Sequence, residues 1–183
     1  MRIFGTHNTM SYLPPKRWWM RPLRVFARCQ RKTLTEQIAA GAQVFDLRVY
    51  REGDYWCFAH GLVKFKGATL YTTLDVIPSG SVVRVILERG HGEDVVLFRK
   101  LCVWLDGHFH NLTFIGARRK RGWQLIHDFA ANRDYPDYMI HQHVGSMASD
   151  ARWYERFVPI LYARRRCVDF DDFANGVHLY DFL

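Results

Sequence analysis

The sequence predicts an α/β protein built as a shortened or incomplete TIM-like (β/α) barrel. Three observations lead there. Apolar, β-rich runs alternate with helical or loop segments, which is the pattern of a mostly parallel sheet. Polar residues recur at the ends of those runs, at His7, Asp46, Arg48, His60, Glu88, His141 and Asp181. Barrels that carry their site on the C-terminal face place residues in this way. Finally, the chain has 183 residues, whereas a complete eightfold barrel takes about 250. Helices or a strand are therefore expected to be missing, or the barrel to be partly open.

The elements follow in order. Met1 to Phe4 reads as a strand, and Gly5 permits a sharp turn into Thr6-His7-Asn8-Thr9. Tyr12 to Phe26 holds prolines, paired tryptophans and four basic residues, so it reads as a rim loop or short helix. Leu34 to Ala40, opened by Thr33 and closed by Gly41, is a short helix. Gln43 to Tyr50 is a strand with Val44, Asp46 and Arg48 on one face and Phe45, Leu47 and Val49 on the other. Tyr55 to Ala59 is a second strand ending in His60-Gly61. Leu70 to Val76 is ambiguous. Ser81 to Leu87 is a buried strand ending in Glu88-Arg89-Gly90, and Glu93 to Leu105 is the clearest helix. Leu112 to Ala117 is a strand that leads into the basic cluster Arg118 to Arg121. Tyr138 to His141 is a strand running into Gln142-His143, Trp153 to Ala163 a helix, and Val177 to Phe182 a terminal strand containing Asp181.

Composition narrows the classes. With 49% hydrophobic and 24% charged residues, the chain is ordinary for a globular protein rather than disordered or fibrous. One domain spanning 1–183 is expected. The four cysteines have no CxxC pair, which speaks against a zinc cluster or a disulfide framework and for reduced, mostly buried thiols. No signal peptide and no membrane-length apolar run is seen. The reading is a cytoplasmic or peripheral membrane protein, and so trimmed a chain also suits a viral origin. A net charge of +8 draws polyanions such as phosphorylated substrates or anionic lipid. Nucleic acid has charge alone in its favour and is not expected as a partner.

The ordered motifs Gly5-Thr6-His7-Asn8-Thr9, Gln43-Val44-Phe45-Asp46-Leu47-Arg48, Phe58-Ala59-His60-Gly61, Val85-Ile86-Leu87-Glu88 and Leu179-Tyr180-Asp181-Phe182 resemble the X-domain of phosphatidylinositol-specific phospholipases C. The resemblance is greatest to the bacterial, metal-independent branch, and it covers roughly residues 1–90 and 177–183. It implies a phosphodiesterase. His7 matches the general base that deprotonates the inositol 2-hydroxyl, and His60 the general acid that protonates the leaving alcohol. Arg48 matches the arginine that holds the phosphate. Asp46 matches the acidic residue beside the leaving-group histidine, and Asp181 the aspartate that pairs with the base. Departures exist. Asn8 stands where bacterial members usually carry Asp, and Glu88 stands where they have lysine and calcium-dependent members have a carboxylate ligand.

The chemistry agrees with these roles. Cleavage by an internal hydroxyl needs a base and an acid on opposite sides of phosphorus, and two histidines can take opposite protonation states near neutrality. A guanidinium offers parallel donors to the non-bridging oxygens. No metal cofactor is expected, because Arg48 already supplies a fixed positive charge where calcium would act. The alternative is a calcium-assisted site of Asn8, Asp46 and Glu88. Another is a non-enzymatic, barrel-derived binding or structural protein. Glu88, Arg89, His141 and His143 are candidate substrate-binding residues. Lys16, Arg17, Trp18 and Trp19 are candidates for contact with an anionic lipid surface.

Overall fold

The computed structural model describes residues 2–116, 122–144, 150–165 and 175–181. In chain order its elements are β1 (Arg2–Thr6), α1 (Arg24–Ala27), α2 (Leu34–Ala39), β2 (Val44–Glu52), β3 (Tyr55–His60), β4 (Val63–Lys64), α3 (Leu70–Leu74), β5 (Val82–Glu88), α4 (Glu93–His108), β6 (Thr113–Ile115), β7 (Gln124–Ile126), β8 (Ile140–His143), α5 (Pro159–Arg165) and β9 (Gly176–Tyr180), joined in places by short 3-10 turns. Parallel pairing runs β6-β5-β2-β1-β9-β8. Among the described residues no pairing joins β6 to β8, so the sheet is a curled, incomplete barrel.

Alternation along the strands sorts the two faces. Ile3, Val44, Val82, Ile115, Ile140, Val177 and Leu179, one or two from each parallel strand, cluster on the concave side. Phe45, Leu47, Val49, Val83, Val85 and Leu87 point outward and pack with Phe98, Leu101 and Leu105 of α4. Each fully buried side chain of this kind contributes about 1.5–3 kcal/mol against exposure. The concave cluster is small because β2 and β5 give their inward positions beyond Val44 and Val82 largely to charge: Asp46, Arg48, Arg84 and Glu88 are all buried. The apolar outer layer holds the sheet, and the inner face is free to carry chemistry.

Local rules account for the short helices. The Thr33 hydroxyl accepts from the Glu36 amide, and the Glu36 carboxylate accepts from Thr33 N–H, closing a capping box at α2. Gly41 follows at φ 89°, a left-handed stop. The ambiguous segment after Gly67 is helical because Thr69 and Thr72 cap α3 in the same way.

Some expectations change. Gly5 does not make the first turn. It lies within β1, and a Cβ there would meet Val44 Cβ at 2.5 Å and the Val44 carbonyl at 2.6 Å, so glycine serves close strand approach. The turn comes after Thr6, with Asn8 at φ 46°. The strand ending in His60 is antiparallel to β2, forming a hairpin at its C-terminal end rather than another parallel strand. The short β7, antiparallel to β5, was not anticipated. Residues 153–157 form turns, and helix begins only at Pro159. Proline disfavours helical backbone in the residue before it and is well suited to the first helical position. The cluster Arg118 to Arg121, Cys167 and Phe182 lie outside the described residues.

Candidate active site

His7 follows β1 and is buried between three strands' ends. Its Nδ1 lies 2.6 Å from Asp181 Oδ1, just past β9. A carboxylate only accepts here, so Nδ1 carries the proton. Its Nε2 lies 2.6 Å from Arg48 Nη2. A guanidinium only donates, so Nε2 presents its lone pair. The two contacts together select one neutral tautomer, with Nε2 as the basic atom.

Arg48 is held from two sides. Its Nε donates to Asp46 Oδ2 at 3.1 Å, and its Nη1 stands 3.5 Å from Glu88 Oε1. Burial works against the Arg48 charge, but Asp46 and Glu88 outweigh it and hold its pKa above the ordinary arginine value. Asp46 in turn accepts the Asn8 backbone N–H at 3.0 Å on Oδ2 and Arg84 Nη1 at 3.1 Å on Oδ1. Asp46 and Arg84 are direct neighbours across β2 and β5. Gln124 of β7 donates to Glu88. Arg84 was missed in the sequence, although a lone arginine inside the apolar run SVVRVIL needs a buried acid, and the facing strand offers one.

His60 ends β3 on the other side of the opening. Its ring is edge-on to that of His7, with centroids 6.0 Å apart. Its Nδ1 donates to the Ala27 carbonyl at 2.8 Å, leaving Nε2 as the other nitrogen to exchange a proton. The Cys29 sulfur lies 3.7 Å from the same Nδ1. A cavity of about 380 Å³ is lined by His7, Cys29, Arg48, His60, Glu88 and Asp181, with Phe26, Trp123 and Phe157 among its walls. Buried polar side chains fasten the loops around it. Gln30 Nε2 donates to the His7 carbonyl at 3.0 Å and the Tyr180 carbonyl at 2.7 Å. The Ser11 hydroxyl accepts from the amides of Cys29 and Gln30, both at 2.9 Å.

Four sequence-based assignments look different in the structure. Asp46 stands 3.8 Å from His7 Nε2, so it lies beside His7 and braces Arg48, while His60 turns its Nδ1 to a backbone carbonyl. His141 and His143 do not line the cavity. They share the face of β8 opposite Ile140, where their rings stack on His178 at 4.7 and 5.2 Å and His143 also stacks on Tyr180. Strand alternation fixed their common face but not which side of the sheet it was. Arg89 is exposed, and its guanidinium covers the Trp123 ring at 5.3 Å rather than entering the cavity. In the calcium alternative, the Arg48 guanidinium stands between Asp46 and Glu88, the two carboxylates an ion would share; Asn8 gives its backbone N–H to one of them.

No protein-family profile matches the chain, and no curated protein matches it in sequence. Solved structures do. The chain is similar to phosphatidylinositol-specific phospholipase C from Listeria monocytogenes, at 15% identity and a TM-score of 0.59, over 98% of this chain and 87% of that one. It is also similar to phosphatidylinositol-specific phospholipase C from Staphylococcus aureus, at 23% identity and a TM-score of 0.37, over 45% of this chain and 29% of that one. The match thus spans less than a third of the Staphylococcus enzyme's length. The Listeria likeness shows the fold: a TIM-like barrel of the phospholipase C type, here shortened.

Proposed function

We propose that this chain is a phosphodiesterase of the phosphatidylinositol phospholipase C-like class, working by acid–base chemistry without a metal. The observation that carries the reading is the pairing across one cavity. His7, backed by Asp181, faces His60 at 6.0 Å between ring centroids, and Arg48 lies alongside.

In this reading a phosphodiester enters with its non-bridging oxygens toward Arg48. Arg48 then transfers donors from His7 Nε2 to phosphate, which frees the lone pair of the base. His7 takes the proton of a hydroxyl neighbouring the phosphate, and Asp181 supports the imidazolium that forms. The hydroxyl oxygen attacks phosphorus, the bond to the leaving alcohol breaks, and His60 supplies the proton that alcohol needs. The product is a cyclic phosphodiester. Asp46, Arg84 and Glu88 hold the guanidinium in register, so that it meets charge building on phosphorus without reorganising.

A lipid surface suits the rim. Trp18 and Trp19 are 73% and 52% exposed, and Leu23, Val25 and Phe26 are exposed beside them. Arg17 lies over the Trp19 ring. Such a mixture of indole and cation fits the headgroup level of an anionic bilayer. Lys16 is already paired with Glu52, so it is the weakest member of the set. No helix among the described residues is long and apolar enough to cross a membrane.

The test is phosphorus NMR on the protein incubated with glycerophosphoinositol, phosphatidylinositol vesicles and an aryl phosphodiester without a neighbouring hydroxyl, each with and without chelator. The reading expects a cyclic phosphodiester from the inositol substrates, undiminished by chelator. Formation of only a linear monoester, or activity that vanishes with chelator and returns with calcium, overturns it.

A further inference from the structure

We propose that His7, Cys29 and Asp181 form a binding site for a borderline-soft divalent cation, zinc above all, and that its occupation silences the phosphodiesterase. The binding half stands on the geometry; the silencing half rests on His7 being the base.

One nitrogen of His7, the sulfur of Cys29 and one oxygen of Asp181 all lie within 4.8 Å of one another, and all three residues are buried. Nitrogen, thiolate sulfur and carboxylate oxygen form a zinc donor set. They do not form the all-oxygen shell that calcium and magnesium prefer. Three protein ligands leave a fourth position, and the cavity they line admits solvent to it.

The framework is built to hold these three residues together. A single amide, that of Gln30, donates to the carbonyl of His7 and to that of Tyr180, the residue before Asp181. Gln30 itself follows Cys29, and Ser11 clasps the amides of both. Small adjustments therefore suffice to close the donors on an ion. Charge agrees as well. Asp46, Glu88 and Asp181 face Arg48 and Arg84 in this buried cluster, so neutral histidines leave one negative charge in excess. Loss of the Cys29 thiol proton to solvent makes it two, which a divalent cation neutralises. A second proton moves within the site: the one His7 Nδ1 gives to Asp181 passes to Nε2, and Arg48 yields its contact there while Asp46 and Glu88 keep hold of it. An ion held here occupies His7 and Asp181, removing the base and its support together.

The experiment uses the full chain and cobalt(II) as a spectroscopic probe. Cobalt is expected to give a thiolate-to-metal charge-transfer band in the near ultraviolet. The band should persist in Cys57→Ala, which removes the half-buried thiol of β3, and disappear in Cys29→Ser. Zinc should compete the band away and calcium should not. On the wild-type chain, zinc should also slow alkylation of Cys29 followed by mass spectrometry, which keeps the test decisive if Cys29→Ser does not fold. Half-inhibition of diester cleavage by zinc, measured against each variant's own metal-free rate, should rise roughly tenfold or more in Cys29→Ser. Absence of the band in the wild type, its persistence in Cys29→Ser, or unchanged alkylation with zinc overturns the site. Spectral binding without any diesterase activity would retain the site and overturn the acid–base reading instead.

Discussion

Replacing Arg84 by methionine tests whether the buried charges stand as a set. Arg84 has no exposed surface, nor has its partner Asp46, and Nη1 sits 3.1 Å from Asp46 Oδ1. Methionine fills a similar volume but offers Asp46 no donor. Asp46 Oδ2 retains Arg48 and the Asn8 amide, while Oδ1 loses a cation in a dry interior. Breaking a buried ion pair from one side costs about 3–5 kcal/mol, and the surviving donors place this one near the lower end. Native stability is of order 5–15 kcal/mol, so the loss is a large share of it. At a urea m-value of about 2 kcal/mol/M, a loss of about 3 kcal/mol moves the unfolding midpoint by about 1.5 M. Urea titration followed by tryptophan fluorescence reads this directly. Arg84→Met combined with Asp46→Asn should recover part of the loss, because the orphaned charge is gone. A midpoint that moves by less than about 0.5 M in Arg84→Met refutes the reasoning, since Asp46 would then not depend on this partner.

Other outcomes follow from the same coordinates. Asp181→Asn should retain the fold and lower turnover of a soluble diester by about 10²–10⁴-fold, because the amide no longer fixes the His7 tautomer or supports its cation; steady-state kinetics checks it. Burial, with His178 and His141 beside it, pushes His143 down from 6.5 to about 4. The unfolded chain therefore binds this proton first as pH falls, and stability is lost between pH 6.5 and about 4 and is fully present above that window. Thermal melts across that range should show the fall in the wild type and a shallower one in His143→Gln. Paired replacement of Trp18 and Trp19 by alanine should weaken sedimentation with anionic vesicles and lower cleavage of vesicle substrate more than cleavage of a soluble diester.

Much of this molecule was legible in its residues, for reasons that differ between elements. The strands of β2 and β5 announce themselves by β-rich composition, and alternation put Asp46 and Arg48 on one face before any coordinates. The helix α4 shows a clear apolar stripe. The contact between His7 and Asp181 spans nearly the whole chain, and only the ordered motifs suggested it. Other features were hidden because they depend on tertiary contact. Gln30 and Ser11 are polar residues in irregular backbone, and no periodicity marks them as the clasp of the site. Arg84, a charge inside a buried run, went unread because its partner becomes obvious only once β2 and β5 are set in register. The role of Gly5 was misread because sequence signals backbone freedom and close approach with the same residue. The direction in which β8 turns its histidines depends on which face meets the barrel interior, a fact that belongs to the sheet and not to the strand.

The proposed division of labour between the two histidines is tested most directly by leaving-group dependence. Inositol phosphodiesters would be compared with a poor alkyl and a good nitrophenyl leaving group, in the wild type, His7→Ala and His60→Ala. A good leaving group departs without a proton, so it bypasses the acid but still needs the base. The prediction is that His7→Ala abolishes both reactions, whereas His60→Ala abolishes alkyl cleavage and spares much of the nitrophenyl reaction. Equal loss of both substrates in His60→Ala, or near-normal turnover in His7→Ala, would contradict the assignment.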